Sequence, residues 1–186
     1  MRIDVSRTTA FSIAVLAWLV SVAAAPAQTL SIAAASDLQA VLPTLAQNFE
    51  KQSGVATRLT FGSSGNFFSQ IQNGAPFDIF LSADLEYPQR LVSGGFALGD
   101  TLYEYASGRI VLWTRKDSGI DVQQGLRVVT GARVRRIAIA NPEHAPYGRA
   151  AVAALRHENL YEAVQGKLVL GENISQAAQF AQSGNA

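Results

Sequence analysis

Three short stretches place small hydroxyl residues, glycines and free main-chain donors where an apolar run gives way to a helical pattern. They are "AAASDL" at 33–38, "FGSSGN" at 61–66 and "NPEHAPYG" at 141–148. The first N–H groups of a helix have no partner inside it and carry a partial positive charge, so several such junctions brought together hold an anion without Lys or Arg. The hydroxyls of Ser36, Ser63, Ser64 and Tyr147 add donors of the same neutral kind. Each residue also has an ordinary role. Ser36 is a preferred N-cap for the helix that follows, and "GSSG" is a turn sequence. Asp78 and Asp84 suit capping and turns better than acid-base work. His144 reads as a loop residue or a support for a neighbour rather than a metal ligand, since His157 is the only other histidine and cysteine is absent. The repetition of one junction chemistry is what raises an anion site above these separate readings.

Catalytic patterns are thin by comparison. A nucleophile elbow needs G-x-S-x-G, whereas Gly62-Ser63-Ser64-Gly65 is one residue too short and has no evident base. Neither G-x-G-x-x-G nor a P-loop occurs, and a formal charge of +1 over 186 residues gives no reason to expect nucleic acid. No cofactor is expected.

The elements that must position these junctions follow from periodicity. "TLSIAAAS" reads as a strand and is followed by a helix carrying Leu38, Val41, Leu42, Leu45 and Phe49 on one face and stopped by Gly54. Pro43 requires either a kink in that helix or a short first turn followed by a second helix. "VATRLTFGSSG", "FDIFLSAD", "GRIVLWTR", "RRIAIANP" and "GKLVLGE" read as further strands. "NFFSQIQNG", 148–165 and "NISQAAQFAQSG" read as helices. Alternating strands and helices predict an α/β fold with mainly parallel sheets. A helix ending at Gly184 with no strand after it reads as a fold incomplete at the C-terminus.

Arg2 and Arg7 precede the apolar run "FSIAVLAWLVSVAAA" and the small-residue sequence "APAQ", which predicts an export signal over 1–27 cleaved after Ala27. The run, roughly 15 residues, is short of the roughly 20 that a spanning helix needs. An exported chain without cysteine relies on its core alone.

"AAASDL", "FGSSGNFFSQIQNGAPFDIFLSAD" and "NPEHAPYGRAA" together, in that order, resemble the periplasmic molybdate-binding proteins of ABC transporters. The similarity runs from about Leu30 to the chain end. It implies a two-lobed periplasmic-binding-protein fold of type 2, with lobe 1 over 28–104 and an incomplete lobe 2 over 105–186. It also implies a monomeric receptor that holds a dehydrated tetrahedral dianion between the lobes and delivers it to a membrane permease. Carried over by position, the contacts are Ser36, Ser64 with Ser63 just before it, Tyr147, and the main-chain N–H of Ile174 in "GENISQ". A further tyrosine contact of the family lies past Ala186, and Gly65 stands where a hydroxyl residue would add a donor. The resemblance makes the ligand molybdate or tungstate. The alternatives are a receptor for another small anion or metal complex, or a hydrolase using Ser64.

Overall fold

A computed structural model describes residues 29–186; the expected export signal lies outside the described residues. The first sheet has the order β2-β1-β3 and is parallel throughout, with β1 over Thr29–Ala35, β2 over Ala56–Gly62 and β3 over Ile79–Leu81. The central position of β1 explains its composition. Its Ile32, Ala33, Ala34 and Ala35 are all buried, because a strand with neighbours on both edges and cover on both faces has no solvent side. Ala35 pairs with Gly62, so Ser36 and Ser63 leave the sheet side by side. The second sheet consists of β4, Ile137–Ala140, paired in parallel with β5, Leu168–Gly171.

Six helices accompany the strands: α1 over Leu42–Ser53, α2 over Ser64–Gln72, α3 over Glu86–Ser93, α4 over Pro146–His157, α5 over Tyr161–Val164 and α6 over Ile174–Gln182. On one side of the first sheet Ile32, Ala34 and Leu42 pack with Leu59, Phe61 and Leu81. On another, Phe68, Tyr87 and Leu91 pack with Ile71 and Phe80. Around the second sheet Val129, Leu155, Leu160 and Val164 gather Ile137 and Leu168.

Pro43 resolves in favour of two elements. A 3-10 turn spans Ser36–Ala40, and Pro43 then sits in the first turn of α1, where its missing N–H costs no helical bond. Ser36 is therefore the N-cap of neither element: Ala35 holds that position in the 3-10 turn and Val41 in α1, and neither end has a side-chain cap bond. The break also redirects the apolar face. Leu42 and Ala46 are buried, while Val41, Leu45 and Phe49 are exposed among the described residues. Gly54 ends α1 in the left-handed conformation, at φ 72°.

Two readings of secondary structure are corrected, and one helix not read from the sequence is added. The helical pattern over 148–165 is two helices, parted at Asn159, whose φ of 57° leaves the helical region. Helix α3 has its Tyr87 and Leu91 one turn apart, a short pattern partly hidden by Pro88. "GRIVLWTR" is not a strand: among the described residues no ladder partner lies beside it, and Val111 and Trp113 are 82% and 51% exposed. Apolar alternation alone does not make a strand, because strand backbone is stabilised only once its N–H and C=O groups are paired. The stretch from Leu102 to Arg115 is thus an irregular connection between the two sheets.

Candidate functional site

The strands of both parallel sheets end toward a common region, and the loops and helix starts leaving them meet there. Ser36, Ser63 and Ser64 are 3%, 3% and 1% exposed, which is unusual for serine and requires that each hydroxyl be accounted for. Ser64 begins α2, and its Oγ accepts the N–H of Ala83, just past β3, at 2.9 Å. That bond uses a lone pair and leaves the hydroxyl proton free to donate. The Oγ of Ser36 accepts the N–H of Ser175 at 3.4 Å, while the Ser175 hydroxyl donates to the Ser36 carbonyl at 2.9 Å. These two bonds place the start of α6, and with it Ile174, against the end of β1. Asn173 caps α6 by accepting the Gln176 N–H at 3.1 Å, so Ile174 is the first helical residue and its N–H is one of the unpaired donors of the first turn.

Ser63 pairs with the second sheet through a different partner. Its Oγ lies 3.0 Å from Nδ1 of His144, in the loop between β4 and α4. On the other edge of the imidazole, Nε2 is 3.7 Å from Oε2 of Glu172, whose Oε1 accepts from the Asn66 amide on α2. Ser63, His144, Glu172 and Asn66 therefore close a ring that starts and ends on the first turn of α2. Beside it the Gly65 N–H donates to the His144 carbonyl at 2.8 Å. A Cβ on Gly65 would lie 2.5 Å from that carbonyl oxygen and 2.6 Å from the Tyr87 hydroxyl. The glycine is thus required by close approach, which explains the residue type that sequence comparison reads as a lost donor. Gly148 is equally constrained, since a Cβ there would be 2.1 Å from the Ala140 carbonyl.

Tyr147 donates its hydroxyl to Oδ2 of Asp37 at 3.1 Å, one residue from Ser36. Its phenol is pushed up to about 12, first by burial and then by the Asp37 charge, the bond to it and nearby Tyr105. Burial also raises Tyr105, with Asp37 adding to the effect; its hydroxyl donates to the Ser82 carbonyl at 2.8 Å. Farther out, Arg149 on α4 donates to the Tyr87 hydroxyl at 2.7 Å, pairs with Asp84 and lies over the Tyr87 ring at 4.8 Å. Asp84 also accepts from the Tyr87 N–H and the Ser82 hydroxyl, the turn role its position suggests. Asp78 fixes the start of β1 by accepting the Ser31 N–H at 2.7 Å.

The expected contacts thus fall into two linked groups. Ser36 and Ile174 meet through Ser175, and Tyr147 reaches the same turn through Asp37. Ser63 and Ser64 share the start of α2, joined to the β4–α4 loop by His144. None of the four site hydroxyls has Lys or Arg as its partner. Such an arrangement stabilises an anion by dipoles and hydroxyls rather than by one opposed charge. Sequence reasoning does not reach Ser175, Glu172 or Asn66, or the pairing of Arg149 with Asp84. Each is a polar surface residue by local pattern, and its partner is far along the chain.

Residues 30–186 match the family of bacterial extracellular solute-binding proteins. The chain is 42% identical over 163 residues to the molybdate-binding protein ModA of Azotobacter vinelandii, covering 88% of this chain and 64% of that protein. It is 41% identical over 138 residues to the protein of the same name from Rhodobacter capsulatus, covering 74% and 54%. The fold resembles the solved periplasmic molybdate-binding protein of Azotobacter vinelandii with a TM-score of 0.78 at 39% identity, over 84% of this chain and 68% of that one. A substrate-binding domain of a putative molybdenum ABC transporter from Clostridium difficile aligns with a TM-score of 0.60 at 29% identity, over 85% and 68%. The chain therefore spans less than two thirds of these two relatives of known sequence. With parallel sheets whose strand ends converge on buried neutral donors, and a family match over nearly all the described residues, the chain belongs to the bacterial extracellular solute-binding proteins.

Proposed function

We propose that this chain belongs to an extracytoplasmic receptor that captures molybdate or tungstate and delivers it to an ABC permease. The observation that carries the reading is the placing of buried Ser36 against the first turn of α6, with buried Ser63 and Ser64 beside it at the start of α2, all neutral donors at strand ends. The naming of its relatives as molybdate-binding proteins supports the same ligand. In this reading Ser36, Ser63, Ser64, Tyr147 and the Ile174 N–H bond the oxygens of the anion, not its metal atom. Each charge-assisted bond contributes about 1.5–3 kcal/mol. Discrimination among tetrahedral oxyanions then rests on cavity size, since all present the same acceptors.

The lobes are residues 28–104 and 105–186, and the ion is enclosed as they close on it. Residues 1–27 direct export and are removed, leaving a monomeric periplasmic protein with no cofactor and no catalytic role. Calorimetric titration with molybdate, tungstate and sulfate tests the proposal. Saturable binding of the first two with little response to sulfate is expected, and the absence of heat with all three would remove the receptor reading. Tighter binding of sulfate, phosphate or a metal complex would favour a receptor for another anion.

A further inference from the structure

His144 is the one imidazole in the site, and its two nitrogens face different kinds of group. Nε2 faces Glu172 at 3.7 Å, outside direct hydrogen-bond reach, and a carboxylate only accepts, so of the two neutral tautomers the one with its proton on Nε2 suits this neighbour. In that tautomer Nδ1 is a bare acceptor, and at 3.0 Å it accepts a hydrogen bond from the Ser63 hydroxyl. In that state Ser63 offers an incoming anion only lone pairs, which repel it. Protonation of Nδ1 reverses the bond: Nδ1–H donates to Ser63 Oγ, the hydroxyl proton turns outward and Nε2–H remains with Glu172. The imidazolium is then held between a hydroxyl and a carboxylate, with an anion one bond away.

We infer that His144 is a positioning residue that sets the direction of the Ser63 hydroxyl, so that oxyanion capture takes up one proton from solvent onto Nδ1. The inference rests on the proposed receptor function and on Ser63 facing the anion. The charged groups around the ring are few. Glu172 faces Nε2 and shares its other oxygen with Asn66; Glu143 precedes His144 in the loop and is exposed. From the neighbouring helices Tyr87 approaches Gly65, and Arg149 is engaged by Tyr87, Asp84 and Glu86. No cation pairs with the ring itself, so a proton is the available counter-charge.

The test is calorimetric titration of the full chain with molybdate in two buffers of different ionisation enthalpy at one pH, repeated between pH 6.5 and 8. Expected is uptake approaching one proton per anion, with affinity falling up to about tenfold per pH unit above the midpoint. Ser63→Ala and His144→Gln should each abolish the uptake and flatten the pH profile. Asp37→Asn should keep it, which separates His144 from the other carboxylate near the site. Binding of molybdate by the unaltered chain with identical heats in both buffers would overturn the role of His144 and leave the receptor reading standing. Uptake persisting in His144→Gln would overturn it as well. Absence of binding to any oxyanion would remove both together.

Discussion

Gly65→Ala isolates the joint between the two sheets. Within α2 the change is favourable by itself, because alanine is better than glycine in a helix by about 1 kcal/mol. The cost arises outside the helix. The new Cβ would lie 2.5 Å from the His144 carbonyl oxygen, 2.8 Å from its Cα and 2.6 Å from the Tyr87 hydroxyl. Two of these atoms are backbone and cannot rotate away, so the β4–α4 loop must retreat by about 1 Å to reach ordinary van der Waals contact. Overpacking of this kind costs about 1–3 kcal/mol. The retreat also stretches the 2.8 Å bond from the Gly65 N–H to the His144 carbonyl, a further ~1 kcal/mol. If closure accompanies binding, a loss of about 2–4 kcal/mol appears as roughly 30- to 1000-fold weaker molybdate affinity. Thermal unfolding of the first sheet should change less than binding does, since the helix gain of about 1 kcal/mol offsets part of the loss and only the Tyr87 clash lies within that half. Titration calorimetry and a melting curve on the same preparation read the two effects separately. Unaltered affinity in Gly65→Ala would refute the view that this contact belongs to the bound form.

Ser64→Ala removes both the acceptor for the Ala83 N–H and a proposed oxyanion donor, and should weaken molybdate binding by about 1–3 kcal/mol in the same titration. Tyr147→Phe should also weaken it, since the anion loses a donor. The Tyr147 phenol lies above its ordinary value in the folded chain, so the stability it contributes is complete below about pH 10 and is lost as pH rises toward about 12. Denaturant titrations across that window should show a loss that Tyr147→Phe diminishes. Arg149→Gln leaves Asp84, partly buried, without its cation, and a destabilisation of about 1–3 kcal/mol is expected from urea unfolding.

Much of the architecture is readable locally because β1 and β4 are apolar runs and β2 an alternating one, each ending in small or polar residues just before a helix or helical turn begins. The residues proposed for the anion site fall at those ends, and their types carry the proposed chemistry. What local pattern does not carry is pairing across distance. Gly65 reads as a missing hydroxyl because the carbonyl that crowds it belongs to residue 144. Ser36 reads as a cap because its true neighbour, Ser175, lies 139 positions away. "GRIVLWTR" has the composition of a strand, yet a strand exists only with a neighbour, and that neighbour is not encoded in the segment itself. His144 looks bland beside its loop until Ser63 and Glu172 are seen at its two nitrogens.

Among the described residues, the connection from Leu102 to Arg115 runs from the first sheet to the second along a path with no ladder of its own. Because one chain carries both sheets, the contacts between them form within one molecule rather than between free pieces. A short flexible link supplies an effective concentration in the millimolar range, so an interface too weak to assemble from free pieces still closes within one chain. The polar contacts across the joint, among them Ser63 to His144, Gly65 to His144, Tyr147 to Asp37 and Ser175 to Ser36, therefore need not be strong enough to assemble the halves unaided.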